Sequence, residues 1–517
     1  DHVIHIWDTV SGRRLLDYPQ AHRTALGSVA YSPDGRQAAT GGQEGVGRLW
    51  DVATAKQVGR LRFSERPISG IEVVAFSSDG RTVAAGGDEF TPQRSIGWIK
   101  LWDRKSGAEL WTQRPESRVS ALTFSLDGQS VAVATGAVDG EGERENAIRI
   151  YERDTGKERA QRTDLTRRVR ALVFSPDGKL LRSYGEDRIL RVWEWSSKKP
   201  PTRHRLNNER SSHRSVTFSP DGKLLATSVG FTDTIVLRDA NTGTEISKIR
   251  VEKSMGSVLA FSPDGRVLAT SSMRVVNSDK PFDYDLHLWD LLTEREIRTL
   301  RPGRASVSAL AFSPDGREVL AGMDNGTGLI WSITSSEENG RKPKGQMGEE
   351  ELKRLWADLG GDDTARAYEA IGSLATNPNV TVPFLRRHLH PAKPADPNRV
   401  RQLIADLENS EFARREAANH ALEALGGKVR PALRKALEGK PTLEQRKRLE
   451  ALLAAPHTIR QPELLRQVRG VQVLEMIGSE EARQVLRSVV NGAAQARLTE
   501  EARASLHRLA TRPPIKP

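Results

Sequence analysis

The 517-residue chain contains no cysteine. That excludes disulfides, thiolate metal sites and a cysteine nucleophile, and it gives no sign of an oxidising compartment. No apolar run approaches the ~18 residues needed to cross a bilayer, so no membrane association is expected. The chain opens at Asp1 with neither an initiator methionine nor a charged-then-apolar leader, so no signal peptide is visible. Because Asp1 falls inside a strand pattern, the chain reads as a fragment of something longer, with a cytoplasmic location expected. Ser–His–Asp sets, HExxH, Walker loops and kinase motifs are also missing from the sequence, and neither an enzyme nor a cofactor is expected.

Acidic charge is scarce in one part only. There are 48 basic and 45 acidic residues up to Gly340, but 31 against 22 beyond it. Tryptophan has the opposite bias, with nine of ten before residue 340. A chain this long exceeds one ordinary core, and the two asymmetries point to two dissimilar domains.

What is abundant is a repeat. YSPDG starts at Tyr31, FSSDG at Phe76, FSLDG at Phe124, and FSPDG at Phe174, Phe218, Phe261 and Phe312, spaced 45, 48, 50, 44, 43 and 51 residues apart. A period of this size signals a repeat architecture. Each copy reads as the tight turn of a β-hairpin, with Pro pre-setting φ, Asp bonding the backbone ahead and Gly taking positive φ. A strand ending in Trp-Asp or a relative follows each turn, at Trp50, Trp102, Tyr151, Trp193, Leu237, Trp289 and Trp331, and an extra VIHIWD stands at Trp7. The fifth unit shows Leu237-Arg238 where most other copies have an aromatic residue followed by an acidic one. A second turn and a short alternating strand complete a unit of four antiparallel strands.

These units resemble the WD-repeat β-propeller family over residues 1–335. The resemblance implies an all-β propeller of seven or eight four-stranded blades, closed into a ring that buries each sheet against its neighbours. It also implies a buried His–Asp–Trp hydrogen-bond network, for which only His22 and His213 supply the histidine. VIHIWD is surplus to a seven-blade count.

Strand direction separates the faces. The FSPDG and TG turns share one face and are short and uniform; the other face collects irregular connections, the common place for binding on a rigid scaffold. Three inserts stand out there: Asp88–Gly97 with Phe90 and Arg94, Gly136–Asn146 with Asp139, Glu141 and Glu143, and Met273–Asp285 with Asn277, Lys280, Phe282 and Tyr284. Every loop entering a first strand holds a cation, namely Arg23, Arg66, Arg118, Arg168, Arg214, Lys253 and Arg304. A ring of cations around a narrow mouth favours an acidic or phosphorylated partner; the plainer reading is solvated loops in an Arg-rich protein. Asp139, Glu141 and Glu143 lack the spacing of a calcium cage.

Residues 336–350 read as a polar linker. From Glu351 the apolar period becomes 3.6, with Leu352, Leu355, Trp356 and Leu359 on one face, and further helices are expected at about 363–376, 379–389, 397–408, 411–425, 428–438, 442–454, 462–477, 479–491 and 498–510. Pro-rich His390–Pro397 divides a helical subdomain (351–392) from a second part (393–517) that resembles HEAT-type helix pairs. Arg414, Arg415, Arg446, Arg448, Arg466 and Arg469 are expected on the polar side of these helices. No aromatic platform accompanies them, so nucleic acid is not expected as a partner; the alternative is docking of the basic tail on it. The order of parts is also similar to large bacterial WD-repeat proteins in which a sigma factor or a kinase precedes the propeller, which implies a sensor or regulatory alternative. The leading expectation is a non-catalytic scaffold that binds a protein or peptide.

Overall fold

The computed structural model describes residues 4–8, 13–18, 22–62, 69–90, 95–136, 146–197, 199–206, 213–229, 234–251, 258–275, 282–334, 347–439, 441–454 and 458–511. They divide into two compact units, Asp1–Asp290 with Glu296–Ile333, and Leu291–Arg295 with Thr334–Thr511.

The first unit opens with a hairpin, β1 (Ile4–Asp8) and β2 (Arg13–Tyr18). Blade one is β3 (Leu26–Tyr31), β4 (Gln37–Gly42), β5 (Val46–Asp51) and β6 (Gln57–Arg62). Blade two is β7 (Ser69–Phe76), β8 (Thr82–Phe90), β9 (Ser95–Asp103) and β10 (Glu109–Gln113). Blade three is β11 (Val119–Phe124), β12 (Ser130–Thr135), β13 (Ala147–Glu152) and β14 (Glu158–Arg162). Blade four is β15 (Val169–Phe174), β16 (Leu180–Gly185), β17 (Ile189–Glu194) and β18 (Thr202–Arg205). Blade five is β19 (His213–Phe218), β20 (Leu224–Val229), β21 (Thr234–Asp239) and β22 (Glu245–Arg250). Blade six is β23 (Leu259–Phe261), β24 (Val267–Val275), β25 (Phe282–Asp290) and β26 (Arg295–Gly303). Blade seven is β27 (Val307–Phe312), β28 (Glu318–Met323) and β29 (Gly328–Ser332).

Each innermost strand touches the next, from β3 through β7, β11, β15, β19 and β23 to β27, and β27 returns to β3. The ring therefore closes at seven blades. Leu26, Val29, Tyr31 and Ala38 of blade one bury against Ala309 and Leu320 of blade seven across the closing seam. VIHIWD is not an eighth blade. As β1 it lies beside β29, on the outer side of the three-stranded last blade, where an uncovered strand edge would otherwise face solvent.

The repeated turn is held the same way seven times. In the first copy Ser32 Oγ donates to Asp34 Oδ1 at 2.6 Å and accepts from Gln37 N at 2.9 Å, Asp34 Oδ1 also accepts from Arg36 N at 3.1 Å, and Gly35 sits at φ 69°. The serine is the buried hub, 0–5 % exposed in all seven copies. Two arginines tie blades together on this face: Arg104 Nη2 reaches Asp34 Oδ2 at 2.8 Å, and Arg153 Nη1 reaches Asp79 Oδ2 at 2.5 Å.

The buried tryptophan network is complete in blade one. Trp50 Nε1 donates to Thr40 Oγ1 at 2.8 Å, His22 Nε2 meets the same hydroxyl at 2.7 Å, and His22 Nδ1 lies 2.7 Å from Glu44 Oε1. Glu44 thus stands where Asp was expected. Blades four and six keep half of it, through Trp193 to Ser183 at 2.8 Å and Trp289 to Thr270 at 3.2 Å. Blade five corrects the sequence alignment. Leu225 pairs with Arg238 as Ala38 pairs with Trp50, so Arg238 holds the tryptophan position and Asp239 keeps the aspartate role, accepting from Asn241 N and Thr242 N at 2.8 and 2.9 Å. The side chain of His213 lies outside the described residues.

This network makes stability pH-dependent. Burial holds the His22 imidazole below its ordinary value and Arg48 acts the same way, against the hydrogen bond to Glu44. Burial alone would raise the Glu44 carboxyl, but the hydrogen bond and charge of His22 bring it down to about 2. Both groups take up protons more readily in the unfolded chain, so both contributions are present at high pH and fade as pH falls. The propeller's unfolding midpoint should be flat above about pH 7, decline as His22 titrates in the unfolded state near 6.5, and decline again below about 4.5. A scan of midpoint against pH checks this, and His22→Asn should abolish the upper step; a wild-type midpoint that rises between pH 7 and 5 would contradict it.

The second unit is helical among the described residues: α1 (Glu349–Leu359), α2 (Thr364–Ala375), α3 (Pro378–His388), α4 (Pro397–Asp406), α5 (Phe412–Leu425), a 3-10 turn (Gly426–Val429), α6 (Arg430–Glu438), α7 (Leu443–Ala454), α8 (Pro462–Ile477), α9 (Glu480–Val490) and α10 (Arg497–Thr511). Asp363, Asp396 and Ser479 accept the N-cap bonds of α2, α4 and α9. Of the expected linker, residues 336–346 lie outside the described residues. α8 is enclosed by α1, α2, α3, α9 and α10. This removes Arg469 from the polar side: fully buried, it donates from Nη1 to Leu359 O at 2.7 Å, at the negative end of α1. Arg508 closes on buried Glu475 through Nε and Nη2, both at 2.7 Å. A second apolar core joins α4, α5, α6 and α7.

Candidate functional site

Antiparallel strand order places the turns after the first and third strands of every blade on one face and the remaining connections on the other. That second face is the candidate site. Two of its three inserts are less irregular than the sequence suggests. β8 and β9 stay paired out to Phe90 and Ser95, and β24 and β25 out to Val275 and Phe282. Alternation continues through DEF and SIGW in blade two and through MRV and FDYD in blade six, so the ladders extend as two tall hairpins. The tip residues 91–94 and 276–281, and residues 137–145 of blade three, lie outside the described residues, and with them Arg94, Asn277, Lys280, Asp139, Glu141 and Glu143. Phe90 is described in its backbone only. Phe282 is exposed at 44 %, and Tyr284, two residues on and on the same side of β25, is half-buried.

At the loop-rich end the innermost strands share a second feature. Pairing skips one residue between Leu26 and Ser28, Ile71 and Val73, Val119 and Ala121, Val169 and Ala171, His213 and Ser215, and Val307 and Ala309. Such a bulge re-aims the extra side chain. Here it turns Ser120 onto the next blade, where Oγ donates to Val169 O at 2.7 Å, and sets Glu72 against the entry loop of blade three.

The expected ring of cations therefore meets carboxylates. Arg118 pairs with Glu72 through Nη2 and approaches Asp88 with Nε at 3.7 Å. Arg168 Nη2 and Arg170 Nη2 share Glu186 Oε1, at 3.1 and 2.6 Å. Burial, with Arg168 and Arg118 nearby, holds the Arg170 guanidinium below its ordinary value. Arg23 and Arg304 are exposed. Arg66, Lys253 and the side chain of Arg214 lie outside the described residues. Glu72, Arg170 and Glu186 were missed from the sequence; the signal was their place, four residues before the hairpin aromatic for Glu72 and Arg170, and in the second connection of blade four for Glu186.

The structure also assembles a trio that sequence spacing hides. Ser272 on β24, His287 on β25 and Glu296 on β26 line up across three strands, with Ser272 Oγ 2.9 Å from His287 Nε2 and His287 Nδ1 2.8 Å from Glu296 Oε1. The order is that of a nucleophile, base and orienting carboxylate. Ser272 is only 3 % exposed, however, which closes its hydroxyl to a substrate. Thr299 also contacts both His287 and Glu296. The trio satisfies an inward-facing histidine beside Trp289, whose ring lies 6.1 Å away. Among the described residues, no group of three or more His, Asp or Glu is placed to hold a metal ion, and no helix is long and apolar enough to cross a membrane.

The family model for the WD domain, G-beta repeat (WD40), matches residues 13–51, 161–194 and 294–332. The first two of these spans begin on an outer strand, β2 and β14, the third begins one residue before β26, and all three end at the third strand of a blade, so the sequence repeat is offset from the structural one and stitches neighbouring blades together. The first unit is a seven-bladed WD40-repeat propeller. The Protein LST8 homolog of Drosophila melanogaster is 41 % identical over 51 residues, which is 10 % of this chain and 16 % of that protein. The alignment thus spans about a sixth of that relative and carries a likeness of blades only.

Proposed function

We propose that the chain is a non-catalytic interaction scaffold whose propeller docks a protein or peptide, acidic or phosphorylated, on the loop-rich face, with the helical unit supplying a second contact. One observation carries this reading: the two faces differ in how their polar groups are used. On the FSPDG face each aspartate is bound by its own serine and by backbone N–H, so little remains to recognise a partner. The opposite face has two tall hairpins, non-repeating connections and exposed arginines on a rigid ring. WD40 propellers are in general protein-interaction scaffolds.

Chemical cross-linking of the full chain in the cells that make it, read by mass spectrometry, tests the reading. Cross-links to a partner should map to connections such as 43–45, 114–118, 186–188 and 303–306. Cross-links confined to the FSPDG turns would overturn it.

A further inference from the structure

We infer that docking is confined to one sector of the loop-rich face, over blades six, seven and one, and that the docked segment is acidic and carries a large apolar residue. This rests on the scaffold reading above and narrows it.

The entry-loop arginines fall into two groups. Over blades three and four Arg114, Arg118, Arg168 and Arg170 are already paired: Arg114 with Glu89 at 3.0 Å, Arg118 with Glu72 and Asp88, and Arg168 and Arg170 with Glu186. A new carboxylate there must displace an existing one, so the net gain is small. Over blades six to one the position is reversed. Arg301 is 78 % exposed in its side chain and comes only within 3.9 Å of Asp285. Arg304 and Arg23 are exposed, and among the described residues neither forms an ion pair. A guanidinium in this state can offer its fork to a carboxylate or phosphate without breaking anything.

The three arginines belong to one continuous surface. In blade seven, Asp324 N donates to Ser306 O at 2.9 Å and Ser306 N donates to Asp324 Oδ1 at 3.1 Å, which fixes the second connection of that blade against the loop carrying Arg304. The same connection abuts blade one so closely that a Cβ on Gly326 would lie 2.2 Å from His22 O and 2.9 Å from Thr24 O, which brings Arg23 alongside. On the other flank Arg301 approaches Asp285 of β25, the strand that starts at exposed Phe282. Against these three cations stand Asp324, exposed, Asp283, half-buried, and Asp285, buried, while half-buried Glu44 is already held by Arg48 and His22. The sector is therefore a cationic floor with an aromatic at its rim, complementary to an acidic segment with an apolar anchor.

The test uses the full chain and a short fluorescein-labelled glutamate-rich peptide carrying one tryptophan, followed by anisotropy at low ionic strength. The triple variant R23E/R301E/R304E should weaken binding roughly tenfold or more, in keeping with charge-driven docking. Phe282→Ala should weaken the tryptophan peptide and leave a tryptophan-to-glycine version unchanged, whereas K179E/K223E on the FSPDG face should alter neither. R118A/R168A should leave affinity within about twofold, because those guanidiniums are already engaged. The inference falls if the triple variant binds as wild type does, if R118A/R168A weakens the probe as strongly, or if wild type fails to bind it. Native cross-links elsewhere on the loop-rich face would overturn the sector and spare the scaffold reading; cross-links on the FSPDG face would overturn the reading beneath it.

Discussion

Gly326→Ala is expected to destabilise the propeller by about 3 kcal/mol, more than a surface substitution of one methyl group would suggest. Two costs combine. Gly326 sits at φ 82°, where a side chain costs about 1 kcal/mol. The added carbon would also stand 2.2 Å from His22 O and 2.9 Å from Thr24 O. Both are backbone atoms of the next blade and cannot rotate away, so the seam must open, at about 1–3 kcal/mol. Gly35, at φ 69° with only Pro314 Cδ within reach at 3.7 Å, is the control: Gly35→Ala meets the first cost without the second. Thermal or denaturant unfolding of the two variants measures the difference, and equal losses would show that the seam is not as close as described.

The second large effect comes from two threonines at equivalent places. Thr40 is the hub between Trp50 and buried His22; Thr40→Val leaves a tryptophan N–H and an imidazole nitrogen unbonded, costing about 2–4 kcal/mol at 1–3 for each buried orphan, less relaxation. Thr227 has the same position in blade five but Arg238 in place of tryptophan, and its buried hydroxyl has no partner among the described residues. Thr227→Val therefore removes an orphan and should be neutral or stabilising by up to about 1 kcal/mol. Equivalent losses at both sites would mean that the blade-five hydroxyl is bonded after all.

The fold was legible because its signals are local. Ser-Pro-Asp-Gly contains its own donors, acceptors and positive-φ residue within five positions, and the helix periods and caps are equally short-ranged. Even there the serine was undervalued: proline is replaced at Ser78 and Leu126, whereas the serine is kept in all seven copies, and it is the serine that bonds both the aspartate and the strand beyond. The blade count was not legible, because closure depends on β27 meeting β3 and β1 meeting β29, contacts between opposite ends of the propeller sequence. The site was read only in outline. Entry-loop cations are visible by position, but Glu72 lies 46 residues from Arg118, and nothing local announces that a bulge will bring them together. The inserts of blades two and six read as loops because Gly, Asp and Ser interrupt their apolar alternation, yet the partner strand still pairs with them.

Sectors over blades six, seven and one form one surface only if the ring closes between blades seven and one, so that seam is the place to measure. The absence of native cysteine makes the experiment clean. A Cβ on Gly322 would lie 3.1 Å from Leu26 Cβ, within a few tenths of the lower end of the spacing that a disulfide spans, about 3.5–4.5 Å. Under mild oxidation the L26C/G322C chain should form an intramolecular disulfide in nearly every molecule, with faster migration on non-reducing gels that reductant reverses, while each single variant remains a thiol. A double variant whose thiols stay free and titratable in the folded protein would contradict the seven-bladed ring and the docking sector built on it.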